Sequence, residues 1–415
     1  MCTGPPRCII HIGAPKTGST FLQKLLWANR DALFEAGVHV LGERQAEHYR
    51  AGKDVRGIPF DPSDPGVDWT GAWDEIADAA RRSSAPTVVV TDEHLAAATA
   101  EQAAAAAASM QGRDVQVVYV TRPLPELLPS EWQEYVKHGS TQTYDSWARA
   151  VLAPRPRGPG RWFWSVHDPV SVTERWAAGV GRDNVHVIPF PGKSAPRDML
   201  WRQFAAVLDV PADTAVLPAR EANTSLSAVA AEVLRQVNGQ LSDDFPPWHQ
   251  TGVVRDIVAN EILNPLGTGR PTLPADLAEA AANRYRQITA EMAVAGYPTV
   301  TEVGVTTPIV SSEPHAPPTT AEQLDVAVAA LAALSERMAR MRDDRRSSEL
   351  RMRRLRRELD QIDMAHEATH PMATRLDRAK QRVRDAEHTS RVVAGALRGY
   401  RAVRGTGSPG ASSDG

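Results

Sequence analysis

The chain has 415 residues, 42% of them hydrophobic, with 47 Lys and Arg against 50 Asp and Glu for a formal net charge of -3. This length and composition suit one large core-forming domain with appendages and exclude a disordered or collagen-like chain. No apolar run reaches the roughly 18 residues of a spanning helix, and the first residues lack the basic-then-apolar layout of a secretory signal, so a cytoplasmic protein is expected.

In chain order, the first element is the short β-branched run from Cys8 to Ile12, which reads as a strand buried on both faces. Cys2 and Cys8 are the only cysteines, too few for a disulfide framework or a cysteine-rich metal site. The strand runs into His11-Ile12-Gly13-Ala14-Pro15-Lys16-Thr17-Gly18-Ser19-Thr20-Phe21, ahead of an amphipathic helix with Phe21, Leu22, Leu25 and Leu26 on one face. A strand, a glycine-bearing loop and a helix form the context a phosphate-binding loop requires. Gly13 and Gly18 permit the tight turn that points successive N–H groups and the helix N-terminus at an anion. Lys16 adds a charge, and Thr17, Ser19 and Thr20 add hydroxyls. An ordinary triphosphate loop carries its lysine directly after the second glycine, followed by Ser or Thr for magnesium. Here Ser19 holds that place and Lys16 sits two residues before Gly18.

His11, next to the loop, reads as a core histidine, and Glu47-His48-Tyr49-Arg50 is assigned to the acceptor side on position alone. The second strand, Thr87 to Val90, ends in Thr91-Asp92-Glu93-His94, at the strand end where open α/β sheets bind ligands. Asp92, Glu93 and His94 are each candidates for a general base, and Asp92 alternatively caps the helix that follows. The third strand, Val115 to Val120, ends at Thr121-Arg122-Pro123, with Ser130 eight residues past Arg122 near the start of an expected helix. A guanidinium grips phosphate bidentately and a serine adds a hydroxyl beside it. Pro154 to Gly160 reads as an exposed loop, and Trp132, Trp162 and Trp164 either stack on a sugar or aryl acceptor or pack in the core. Val185 to Ile188 is the fourth strand, and Arg220-Glu221-Ala222-Asn223-Thr224-Ser225-Leu226-Ser227 precedes a helix from about Ala228. Arg220, Asn223 and Ser225 are candidate cofactor contacts, with helix capping by Ser225 or Ser227 as the alternative. Strands alternating with helical stretches give the expected fold class: α/β, a parallel sheet flanked by helices, with a P-loop-like phosphate loop.

This domain is expected to span residues 1–300. A Pro/Thr/Ser/Val-rich linker covers 301–320. Over 321–365 a heptad register places Leu324, Leu331, Met338, Arg345, Met352 and Leu359 in one position and Ala327, Leu334, Met341, Ser348, Leu355 and Ile362 in the other. Six heptads with charged flanks predict a coiled coil and hence a homo-oligomer, a dimer or trimer. A lone amphipathic helix packed on the domain is the alternative. Residues 337–404 hold 19 Arg and Lys against 10 Asp and Glu. A basic helical segment over 366–405 could therefore meet an anionic membrane surface or polymer, at the inner face of the membrane in a cytoplasmic protein, or present a solvated face. Residues 406–415 read as a disordered tail, and no nucleic-acid partner is expected.

Pro15-Lys16-Thr17-Gly18-Ser19-Thr20 after a strand resembles the 5'-phosphosulfate loop of the sulfotransferase family, and Arg122 with Ser130 is similar to that family's 3'-phosphate segment. Asn223-Thr224-Ser225-Leu226-Ser227 is similar to an element of bacterial members. The resemblance covers roughly residues 8–300 through short motifs. It implies 3'-phosphoadenosine 5'-phosphosulfate as sulfuryl donor, with Lys16 on the bridging and sulfuryl oxygens and Arg122 and Ser130 on the 3'-phosphate. It also implies a histidine or glutamate base, and the Glu93-His94-Leu95 step, like that of bacterial members, favours Glu93 over Asp92 and His94.

Because a sulfuryl group carries less charge than a terminal phosphoryl group, no metal is expected. The acceptor hydroxyl or amine is not legible, and a carbohydrate or glycolipid is the working expectation. An Ala/Arg-rich, Lys-poor composition suggests a high-GC bacterial source. Two other readings stand beside this one: a small-molecule or sugar kinase on a variant loop, and a non-catalytic coiled-coil scaffold with a degenerate nucleotide-binding domain.

Overall fold

The computed structural model describes residues 5–58, 60–61, 64–192, 195–219, 225–300, 316–368 and 382. Its strands are β1 (Arg7–His11), β2 (Val38–Val40), β3 (Phe60–Asp61), β4 (Asp64–Asp68), β5 (Thr87–Thr91), β6 (Asp114–Thr121) and β7 (Val185–Pro189). The first ten helices are α1 (Ser19–Ala28), α2 (Arg30–Glu35), α3 (Gln45–Val55), α4 (Ala72–Arg82), α5 (Ala100–Ser109), α6 (Leu124–Lys137), α7 (Tyr144–Leu152), α8 (Pro159–His167), α9 (Pro169–Val180) and α10 (Met199–Leu208). After them come α11 (Ala228–Asn238), the short α12 (Pro247–His249), which runs on as a π-helix over Gln250–Leu263, α13 (Ala275–Ala295) and α14 (Thr320–Ala368).

Strands β2-β5-β1-β6-β7 form one parallel sheet in that order, and β3 and β4 form a separate antiparallel pair. The chain fills the sheet to one side of β1 with β2 and β5, then crosses to the other side with β6 and β7. That reversal makes the carboxyl ends of β1 and β6 a topological switch point, where such sheets bind ligands.

Both faces of the sheet are covered, which is why its strands read as unbroken apolar runs rather than alternating ones. Cys8, Ile10, Val88, Val90, Val117 and Tyr119 point into one core, with Trp73 of α4, Ala103 of α5 and Trp176 of α9. The residues between them, Ile9, Val89, Val118 and Val120, point into the opposite core with Leu22 and Leu25 of α1 and Phe204 of α10. A third core, made by helices alone, joins Leu128 and Trp132 of α6, Trp147 of α7, Phe163 of α8, Leu234 of α11 and Tyr285 of α13.

Each of the four strands expected from sequence is present with ends shifted by at most one residue. The sequence reading omitted β2, a three-residue strand with the polar His39 in its middle, and the β3–β4 pair. Thr299 bridges to Val187 of β7, so chain just before residue 300 still belongs to the sheet edge.

A first compact unit runs through Ala330 and a second begins at Leu331. Val326, in the first turns of α14, is buried in the helical core of the first unit. Along α14, Leu324, Leu331, Met338 and Met341 of the heptad register are 62%, 65%, 58% and 48% exposed in the single chain. Most of the basic segment, and residues 406–415, lie outside the described residues.

Candidate active site

The loop after β1 begins as a continuation of the sheet. Ile12 N–H donates to the Val118 carbonyl and Val120 N–H to the Gly13 carbonyl, which ties the loop to β6. Gly13 has φ +108°, and a Cβ placed on it would lie 3.1 Å from the Cα and carbonyl oxygen of Glu93. The loop therefore passes directly against the end of β5, and only glycine fits there. Lys16 takes a left-handed φ of 56°. Gly18, at φ +100°, precedes α1 without any side-chain cap, so the N–H groups of the first helical turn have no side-chain acceptor. A Cβ on Gly18 would meet Leu200 at 2.5 Å.

The Thr17 and Ser19 hydroxyls both donate to the Ala14 carbonyl, at 2.6 and 2.9 Å, and hold the turn from inside. Thr20 is exposed on α1. The Lys16 ammonium donates to Glu134 at 2.7 Å, with about a third of its side chain exposed. Burial acts to lower its pKa, but Glu134, Glu131 and Glu93 outweigh that and leave it raised, so Lys16 is a cation at any working pH.

Arg122 leaves the end of β6 and braces the loop from behind. Its Nη1 donates to the Lys16 carbonyl at 2.9 Å, its guanidinium lies 5.1 Å from the centre of the Phe190 ring, and Nη2 is 3.6 Å from Glu126. Its buried Nε has no partner. Ser130 is half-buried in the second turn of α6 rather than at its N-terminus, because α6 starts directly after Pro123. The helix N-terminus is therefore not available to Ser130, and only its hydroxyl is.

The three base candidates separate cleanly. Asp92 is 3% exposed and caps the turn after β5, accepting from His94 N–H at 2.9 Å, while His94 Nδ1 lies 3.0 Å away. Its carboxylate abuts Gly52 of α3, where no side chain would fit. His94 packs edge-on to Tyr49 with ring centres 5.1 Å apart. Glu93 differs: burial raises its pKa, only partly opposed by Lys16 and His94, so its carboxylate is a stronger base than usual and sits within electrostatic reach of Lys16.

The remaining candidates lie in the scaffold or outside the site. His11 is fully buried, its Nδ1 2.7 Å from the Thr91 hydroxyl, and burial pushes it down to about 4. His48 is 1% exposed; its Nε2 donates to the Leu41 carbonyl and its Nδ1 accepts from Thr91 N–H, so it ties α3 to β5 instead of lining a cleft. Trp132 and Trp164 direct their indole N–H groups to the Gln142 and Val151 carbonyls. Trp162 is 38% exposed and lies under the Arg56 guanidinium, on the helix that packs beside the Glu93 turn. Arg220 and Asn223 lie outside the described residues. Ser225 is exposed, and Ser227 is the cap of α11, accepting from Ala230 N–H.

Glu134 and Glu131 act on Lys16, and each has a histidine partner of its own. Glu134 bonds both Lys16 and His138, the latter at 3.3 Å. Glu131 faces the buried His167 at 3.2 Å. Within α6, Glu126, Ser130 and Glu134 fall four residues apart and share one face, with His138 as the C-cap one turn further on. Beside Arg122 opens a cavity of about 240 Å³, lined by Ala14 and Thr17 of the loop, His167, Leu127, Tyr285 and Met292 among others. Among the described residues no group of three or more His, Cys, Asp and Glu is placed to hold a metal ion. None of their helices is long and apolar enough to cross a membrane.

No protein-family model matches the chain, and no curated protein matches it. Among solved structures, a sulfotransferase from Alicyclobacillus acidocaldarius is similar at 18% identity and a TM-score of 0.35, over 53% of this chain and 87% of that one. A likeness at that level carries no weight for function, which has to be argued from the residues at the switch point.

Proposed function

We propose that the protein transfers a sulfuryl group from 3'-phosphoadenosine 5'-phosphosulfate to a hydroxyl or amine of an acceptor. The observation that carries this reading is the pairing of Lys16 with Arg122: two cationic side chains that follow different strands, β1 and β6, joined through the Lys16 carbonyl, beside the uncapped N-terminus of α1. That arrangement suits a ligand with separate anionic groups. In the step itself, Glu93 takes the acceptor proton, the acceptor oxygen or nitrogen bonds to sulfur, and the bond from sulfur to the bridging phosphate oxygen breaks. Lys16 and the loop N–H groups neutralise the charge that builds on that oxygen. Trp162, with Arg56 over it, gives the Glu93 side an aromatic and basic surface that favours a carbohydrate-containing acceptor. The exposed heptad residues of α14 support self-association through residues 321–365, and the basic composition beyond supports contact with an anionic surface.

Calorimetric titration with 3'-phosphoadenosine 5'-phosphate, without magnesium, tests the donor site without knowledge of the acceptor. Micromolar binding is expected, weaker for 5'-AMP, with a loss of about 2 kcal/mol in Arg122→Ala. Absence of binding, or tighter binding of magnesium-ATP, would replace this reading with the kinase.

A further inference from the structure

In the structure both proposed donor-binding cations already face carboxylates of the same helix. Lys16 bonds Glu134 at 2.7 Å, and Arg122 lies 3.6 Å from Glu126, with both of those side chains 14% exposed. Glu126 and Glu134 stand one turn either side of Ser130, on the α6 stripe that faces the loop. An anion arriving at Ser130 and Arg122 thus meets Glu126, and one arriving at Lys16 meets Glu134.

The two pairs are held differently. The second oxygen of Glu134 is bonded by His138, and its carboxyl stays well below the usual carboxylate range: burial acts to raise it, but the His138 and Lys16 bonds prevail. It remains an anion at any working pH. Glu126 is held loosely, since its Oε2 makes no hydrogen bond, and neither does Arg122 Nε.

We propose that Glu126 and Glu134 are specificity-determining residues of the donor site, competing with the ligand's own anions for Arg122 and Lys16. The proposal rests on the donor reading above. A ligand with an anion at only one end displaces one carboxylate and leaves the other pair closed, whereas a ligand phosphorylated at both the 5' and 3' positions replaces both. Discrimination against singly phosphorylated nucleotides then comes from what the empty site must give up as well as from what the ligand gains.

The two carboxylates should separate in one experiment, titration of 3'-phosphoadenosine 5'-phosphate and of 5'-AMP into the wild-type protein, Glu126→Gln and Glu134→Gln. Glutamine keeps the volume and removes the charge, and a thermal melt of each variant checks folding. Glu134→Gln is expected to tighten both ligands by about three- to tenfold, because both carry a 5'-phosphate. Glu126→Gln is expected to tighten only the 3'-phosphorylated ligand by a similar factor, the scale of a partly exposed charged pair. Unchanged or weaker binding in both variants would overturn the proposal, as would equal gains for both ligands in both variants, which would mark a general effect of negative charge. If 3'-phosphoadenosine 5'-phosphate binds none of the three proteins, the donor reading itself fails.

Discussion

Two polar clusters lie at the same edge of the sheet, a few residues apart in sequence, and they differ in what their groups have left to give. Around Thr91, the side chains of His11, His48 and Asp92 are buried and bonded to neighbouring protein groups, leaving only His11 Nε2 without a partner. Around Lys16, the side chains of Glu93, Glu134 and Arg122 are partly exposed, with Glu134 in contact with Lys16, Glu93 within its electrostatic reach and Arg122 paired with Glu126. Residue type does not tell the clusters apart, since each holds ionisable groups next to a strand end. The difference is whether the groups are sealed in the scaffold or still reach solvent, and on the proposed reading one cluster governs folding and the other governs rate.

The largest effect expected from this contrast is on turnover. On the proposed reading, Lys16→Ala should slow sulfuryl transfer, or donor hydrolysis in the absence of acceptor, by about a thousandfold while the melting temperature stays close to wild type. A large loss of stability with little change in rate would break the comparison.

Next comes the acid limb of stability, which tests the other cluster. His11, held near 4 against an ordinary 6.5, is neutral in the folded protein, whereas the unfolded chain takes up the proton first. The folded state is therefore fully stabilised above about pH 6.5 and loses about 3 kcal/mol as pH falls to 4. His48, also lowered by burial, acts with the same sign. Urea unfolding at pH 7 and pH 4 should show the loss, and His11→Gln should remove the part due to His11.

Smaller still is the effect of the base. Glu93→Gln should lower the transfer rate by about a hundredfold and abolish an acid limb of activity that in the wild type lies above the ordinary carboxyl value of 4.5. Activity should rise with pH through that limb, because the base works only when ionised. Asp92→Asn should instead act mainly on stability. If it cost more rate than Glu93→Gln, the two clusters would have to be redrawn.

The sheet was legible because burial on both faces leaves a run such as Thr87 to Val90 with no polar interruption. A three-residue edge strand around His39 offers no such run. The loop was legible for a different reason, since Gly13 and Gly18 sit where a left-handed backbone and a close approach leave no alternative. What sequence could not convey was the partner of each charge. Lys16 and Glu134 are 118 residues apart, and nothing local in either segment announces the other. His48 misled in the opposite direction: its chemistry suits a binding site, but its hydrogen bond goes to the Leu41 carbonyl in the interior, while Trp132 took the core-packing alternative the sequence left open.

The contact between Gly13 and Glu93 bears on the order of events in a turnover. With the loop backbone lying against the residue that would take the proton, the two cannot shift independently. On the proposed reading, a donor seated in the loop fixes the base, and an acceptor that arrives first meets a base not yet in register. Sequential kinetics with the nucleotide as obligatory leading substrate, and nucleotide product leaving last, is the behaviour such a joint imposes.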